Sequence, residues 1–411
     1  MRILIVGINF WPEPTGTGKY TGEMAAYLAE RGHQVTVITA PPYFPYWKIQ
    51  PGYKTLRYQV ETWQGVKIIR CPLYVPKKVT GAKRLIHLLT FALSTWPVIV
   101  WQKARHPDII FAVAPTLFSA PAAAYAARRL RWRNWLHIQD FELDAALNLG
   151  LIARKPAVEK LARGWEARVY RKFATVSTIS EAMLKKLNDK GLDDDAIYYL
   201  PNWVDTSLIY PLIGENSFRK QLHLNPSDLV VLYSGSIGQK QGIETLVAAA
   251  KNLQEQPNLH FVICGEGPGK ADLEKLANGI ANIHFLPVQS ADSLNELLNM
   301  ADIHVLPQKA GAADVVMPSK LLGMLASGKP VIAACPPGSA LSTIVDQVGV
   351  VTPPEDADAF AKNIQRLVSD AALRVRKGEQ GRKFVADNFN IEKVLGDLEK
   401  ALTNLLDHKS T

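Results

Sequence analysis

The chain has 411 residues, 47% hydrophobic and 21% charged, which excludes a disordered or low-complexity protein and is too long for one ordinary core. Lys and Arg outnumber Asp and Glu by 47 to 38, a net charge of +9 that favours anionic partners (phosphates, nucleic acid or an acidic lipid surface) without choosing among them. Cys71, Cys264 and Cys335 are odd in number, widely spaced and each in or beside an apolar run, which indicates neither a disulfide framework nor a zinc site and fits a reduced, cytoplasmic compartment.

Met1 and Arg2 open a short apolar run to Ile8, too short for a signal peptide's core, that reads as a buried strand. The Pro- and Gly-rich loop 11–18 follows, then a helical pattern to Arg31 stopped by Gly32, and a second strand over 34–40. Residues 85–101 hold only His87, Thr90, Ser94 and Thr95 as polar members, with Lys83 and Arg84 before and Lys103 and Arg105 after. Pro97 interrupts this stretch, which is short for a spanning helix; the basic flanks, Trp96 and Trp101 suit a segment lying in a membrane interface, and a helix buried on the first sheet is the alternative. Arg128, Arg129, Arg131 and Arg133 add a second basic cluster suited to acidic headgroups.

Further strands are predicted over 108–114, 134–139, 174–178 and 196–200, alternating with helical stretches, which closes a first domain at residue 203. Residues 204–228, with Pro211, Gly214 and Pro226, read as a linker. A second alternation, with strands over 229–235, 259–264, 283–285, 303–306, 331–334 and 349–351, makes a second domain to residue 388; the last helix, 389–411, is expected to pack back toward the first domain. The fold class is therefore α/β, two Rossmann-like doubly wound parallel-sheet domains facing across a cleft.

Four glycine- or proline-bearing strand-to-helix turns have the form that offers backbone N–H groups to an anion. The first, Pro12 to Lys19, carries Gly16, Thr17 and Gly18 but fails the P-loop pattern at Glu13 and Tyr20 and fails G-x-G-x-x-G at Thr21. The others are Gly235-Ser236 with Lys240 downstream, Gly265-Glu266-Gly267-Pro268, and Met317-Pro318-Ser319-Lys320-Leu321, where proline fits a helix's first turn. Their common use is a nucleotide diphosphate at the carboxyl ends of the strands.

Several segments resemble the family 4 glycosyltransferases of GT-B fold, and in particular their colanic acid biosynthesis subgroup. These are Gly7-Ile8-Asn9-Phe10-Trp11-Pro12-Glu13-Pro14-Thr15-Gly16, Thr39 to Pro45, Cys71 to Pro76, His137-Ile138-Gln139-Asp140-Phe141-Glu142 and Val315 to Leu321. The resemblance covers nearly the whole chain. It implies a donor site in the second domain, with Gly235 and Lys240 near the diphosphate, Glu266 and the backbone at Val288 around the base, and Ser319 to Leu321 on phosphate, leaving the acceptor to the first domain. Where much of the family has two glutamates, one for the ribose, this chain has Val315 and Gly323; Asp314 is the nearest substitute.

Fixed cations and N–H groups disperse charge on a departing diphosphate without a metal, and Lys240 and Lys320 are the candidates. Asp140 lies just past a strand, where it could meet the transferred sugar or the acceptor hydroxyl; Glu142 and His137 are its acceptor-side neighbours. The run Asp193-Asp194-Asp195 reads as a solvated turn. The resemblance implies retention of configuration, and the expected reaction is transfer from a nucleotide sugar, GDP- or UDP-linked with GDP-fucose suggested by the subgroup, to a saccharide on polyprenyl diphosphate at the inner face of the cytoplasmic membrane, with no cofactor. A GT-B-fold epimerase is the alternative. Nucleic-acid-binding signatures are absent from the sequence.

Overall fold

The structure is a computed structural model and describes all residues except 15, 103–105, 116, 149–155, 239–240, 313–317 and 408–411. The chain divides into two compact units, Met1–Pro201 with Leu395–Thr411, and Asn202–Val394. The first unit is built on β1 (Arg2–Val6), β2 (Gln34–Thr39), β3 (Gln59–Trp63), β4 (Val66–Arg70), β5 (Ile109–Ala114), β6 (Arg133–Ile138), β7 (Thr175–Thr178) and β8 (Ile197–Tyr199), in the spatial order β3-β4-β2-β1-β5-β6-β7-β8. All neighbours are parallel except β3 and β4. Continuous apolar runs such as Ile109–Ala114 form the middle strands because helices cover both sheet faces and leave no solvated side for polar alternation.

The β3–β4 hairpin is absent from the sequence prediction. Its strands mix polar and apolar residues, and its two-residue turn, Gln64-Gly65, takes positive φ at both positions (45° and 75°) without the usual Asn-Gly pair. The hairpin matters because it presents Arg70. The Arg70 side chain is fully buried: Nε donates to Glu61 Oε1 (2.7 Å), Nη1 to Ala40 O (3.0 Å) and Nη2 to Trp11 O (2.5 Å). Trp11 also stacks on Trp63 at 4.8 Å. One guanidinium thus fixes the loop leaving β1 to β2 and the hairpin.

The second unit holds β9 (Leu229–Ser234), β10 (Leu259–Cys264), β11 (Ile283–Leu286), β12 (Ile303–Pro307), β13 (Val331–Ala334) and β14 (Val350–Thr352), all parallel in the order β11-β10-β9-β12-β13-β14. Residues 204–228, expected as a linker, are folded into this unit. Phe218 is buried, and Arg219 donates to Met300 O (2.9 Å), Asp228 O (3.0 Å) and Asp302 Oδ2 (2.5 Å). The helix Ile391–Asp407 starts in the second unit and from Leu395 belongs to the first, where Glu399 meets His33 at 2.8 Å.

Replacing Arg70 by leucine strips Glu61 and two carbonyls of a buried donor. Urea denaturation is expected to show a loss on the order of 3 kcal/mol; a loss below about 1 kcal/mol would assign the junction to the Trp11–Trp63 stack instead.

Candidate active site

The sheet order of the second unit reverses between β9 and β12, and open α/β sheets take ligands at the carboxyl ends of such strands. β9 runs directly into Gly235, which holds φ +145°; a Cβ there would stand 3.2 Å from Lys320 Nζ and 3.3 Å from its Cδ. The Gly235 carbonyl leaves only 1.9 Å for a Cβ on Gly265, and the Ile237 carbonyl 2.1 Å for one on Gly267. Backbone bonds join the two turns, Gly235 N–H to Cys264 O and Ile237 N–H to Glu266 O at 2.9 Å each. Gly265 and Gly267 are therefore glycines because one turn lies backbone-on-backbone against the other.

Lys320 enters from the helix Ser319–Ala326, the next α-helix after β12. Its Nζ donates to the Tyr233 hydroxyl at 3.2 Å and lies 4.3 Å from the ring centroid, while that hydroxyl donates to Ser236 O at 2.7 Å. Burial brings the lysine pKa down to about 7, and among the described residues no charged group offsets it. Ser319 is exposed at the helix start. The Leu321 N–H, expected on phosphate, donates to Pro318 O at 3.0 Å, and its side chain is core. Ser236 and Glu266 are exposed, the latter paired with Lys270 at 2.5 Å; Val288 is exposed in the loop after β11. Lys240 and Asp314 lie outside the described residues.

In the first unit the loop after β1 is filled by its own carboxylate. Glu13, buried, accepts from Asn9 Nδ2 (2.8 Å) and from the Tyr43 and Phe44 N–H groups (2.9 Å each), and a Cβ on Gly18 would lie 2.9 Å from Glu13 Oε2. A buried carboxylate needs donors, and this one takes the place where a Gly18 side chain would stand. Gly16 and Thr17 begin the helix Gly16–Glu30, Gly16 exposed at φ +61°. His137 is buried, its Nδ1 lies 2.9 Å from Ser177 Oγ and its Nε2 2.9 Å from Gln139, and burial lowers its pKa to about 3, so it is neutral in the fold.

Asp140 is exposed just past β6. Glu142 opens the helix Glu142–Asn148; its Oε2 accepts the Leu117 N–H at 2.5 Å while Oε1 is buried without a partner. Burial raises its pKa to about 7, the Leu117 bond and Arg84 opposing, Asp140 and Glu166 adding. The run Asp193 to Asp195 is an exposed turn, and among the described residues no group of three His, Cys, Asp or Glu has metal-holding geometry.

A family model described as "Glycosyl transferases group 1" matches residues 215–384 and one described as "Glycosyl transferase 4-like domain" matches 15–203. The chain is 40% identical over 405 residues, 96% of its own length and 98% of the relative's, to a protein of Escherichia coli (strain K12) named as the colanic acid biosynthesis glycosyl transferase WcaI. The chain belongs to the family 4 glycosyltransferases. Solved structures place the fold as GT-B: a sucrose-phosphate synthase from Thermosynechococcus elongatus matches with TM-score 0.74 at 20% identity over 99% of both chains. Anabaena HepE in complex with UDP-glucose matches with TM-score 0.69 at 16% identity over 98% of this chain and 100% of that one.

In this glycosyltransferase, sequence reasoning missed Tyr233, whose place at the end of an apolar strand reads as core, and Glu13, noted only as the residue that spoils a P-loop. Glu142 offers a direct test. Its folded-state pKa of about 7 lies above the ordinary 4.5, so the folded chain keeps a proton that the unfolded chain releases, and stability falls as pH rises from 4.5 to about 7. Glu142→Gln is expected to raise the melting temperature at pH 8, by an amount equivalent to at most about 3 kcal/mol, and to leave it unchanged near pH 4.5; equal shifts at both pH values would show that the acid is ionised inside the fold.

Proposed function

We propose that this glycosyltransferase moves a sugar from a nucleoside-diphosphate donor, GDP-linked and with fucose as the sugar of first choice, to a saccharide on polyprenyl diphosphate, with retention of configuration, in assembly of a colanic acid-like exopolysaccharide. One observation carries the donor half: a half-buried lysine without a carboxylate partner among the described residues, set beside a glycine turn at the strand ends where the second sheet reverses. The likeness to WcaI supports the pathway, and the UDP-glucose held by HepE supports a nucleotide-sugar donor.

In this reading the departing diphosphate is stabilised by Lys320 and Lys240 and by N–H groups at Ser236 and Ser319, fixed charges that need no reorganisation during reaction. Asp140 faces the acceptor hydroxyl or the transferred sugar, with Glu142 behind it. The test is a product assay over GDP- and UDP-sugars with and without lipid-linked acceptor. Transfer that requires acceptor, and a fall of at least about tenfold (~1.4 kcal/mol) in turnover for Asp140→Asn, are expected. Donor isomerisation without acceptor would establish the epimerase; unchanged turnover would remove Asp140 from the mechanism.

The acceptor half rests on the helix Gly81–Trp101, which is apolar on two faces. His87, Phe91, Thr95, Val98 and Ile99 point into the protein, whereas Leu85, Leu89, Leu93, Trp96 and Val100 form an exposed stripe at helical spacing, with Leu93 73% and the adjacent Trp101 79% exposed. It is long and apolar enough to cross a membrane, and 28% of its most hydropathic window is buried. Between residues 62 and 139 there are twelve Lys and Arg and one acid, Asp108, which is tied to Arg2. Exposed Lys77, Lys78 and Lys83 precede the stripe, and exposed Arg128, Arg129 and Arg131 end the neighbouring helix Ala120–Leu130, whose Tyr125 stacks on Trp96. Basic flanks around an apolar stripe match an acidic lipid surface at the cytoplasmic side. The protein is expected to sediment with vesicles containing phosphatidylglycerol and to be released by salt, and Leu93→Glu with Trp101→Glu to abolish sedimentation; absence of binding at low salt would refute the membrane site.

A further inference from the structure

Tyr233 is the fifth residue of β9 and its ring is fully buried, so the sheet fixes where its hydroxyl stands. The hydroxyl hydrogen is committed to Ser236 O at 2.7 Å, which leaves the oxygen lone pairs to receive Lys320 Nζ at 3.2 Å. The ring face lies 4.3 Å from the same Nζ, close enough for a cation–π attraction, and the bare Gly235 leaves the lysine tip its room. A phenol is a suitable partner here for a specific reason. It orients an ammonium without cancelling its charge, as a carboxylate would. Burial pushes the Tyr233 pKa far up, so the phenol stays neutral. Among the described residues Tyr233 is the titratable group in contact with Lys320; the carboxylate of the adjoining turn, Glu266, is exposed and occupied by Lys270.

We propose that Tyr233 is a positioning residue, holding the Lys320 ammonium uncancelled beside the Gly235 turn for the donor's diphosphate; this rests on the nucleotide-sugar reading above. Two consequences separate it from a packing role. Loss of the phenol oxygen weakens the diphosphate and spares the nucleoside, because only the anion meets Lys320. A lysine that is partly neutral when the site is empty becomes fully charged beside an anion, so binding takes up a proton at alkaline pH.

The experiment is titration calorimetry on the full chain at pH 8, in two buffers of different ionisation enthalpy, with GDP, UDP, guanosine and uridine as probes. For Tyr233→Phe the diphosphate affinity is expected to fall roughly five- to tenfold with nucleoside affinity retained. For Lys320→Met the fall is larger and proton uptake disappears. Unchanged diphosphate affinity in Tyr233→Phe, or equal loss for nucleoside and diphosphate, overturns the role of Tyr233. If Tyr233→Phe does not fold, Lys320→Met decides: wild-type binding and wild-type proton uptake in that variant overturn the inference while the donor reading stands. A wild-type chain that binds neither diphosphate overturns both.

Discussion

An ammonium group half-withdrawn from water, with a phenol and a ring face for company, is an arrangement a fold sustains only through the rest of its packing, because taking a charge out of water without a counter-charge is unfavourable. Lys320 is in that position. Leu321, Leu322 and Leu325 of the same helix lie in the core and anchor it, while Tyr233 sits at the end of a central strand. Gly235 must lack a side chain to admit the lysine, and Gly265 and Gly267 must lack theirs for the Gly235–Ile237 turn to lie down as it does. These three glycines are thus linked in one chain of steric requirements that ends at a cation.

The other buried charges of the first unit show the contrast. Arg70 is surrounded by a carboxylate and two carbonyl oxygens, and Glu13 by three donors, so both are saturated and read as structure. Lys320 has one neutral partner and Glu142 has one oxygen with none. Groups left short of partners where burial makes that unfavourable are the ones whose protonation responds to a ligand, and both lie at strand ends where α/β enzymes put their chemistry.

The fold was largely legible because its strands are buried on both faces and therefore appear as unbroken apolar runs, and the linker was misread because Pro211, Gly214 and Pro226 conceal a short helix anchored by Phe218 and Arg219. The edge hairpin was invisible for the opposite reason, since one solvated face dilutes its pattern. Glycine spacing marked turns where the backbone is crowded but not the source of the crowding; at Gly18, Gly265 and Gly267 the neighbour is the chain itself. His137 shows the limit of reading a motif by its company: standing near Asp140 in sequence, it belongs to a strand covered on both faces and pairs with Ser177 of the neighbouring strand.

A crystal structure with whichever nucleoside diphosphate binds best tests directly whether Lys320 meets the diphosphate. The β-phosphate is expected within hydrogen-bond distance of Lys320 Nζ and of the Ser236 N–H, with Tyr233 still in contact with the lysine. A diphosphate bound elsewhere on the chain, with Lys320 left against Tyr233 and no anion beside it, would contradict this expectation.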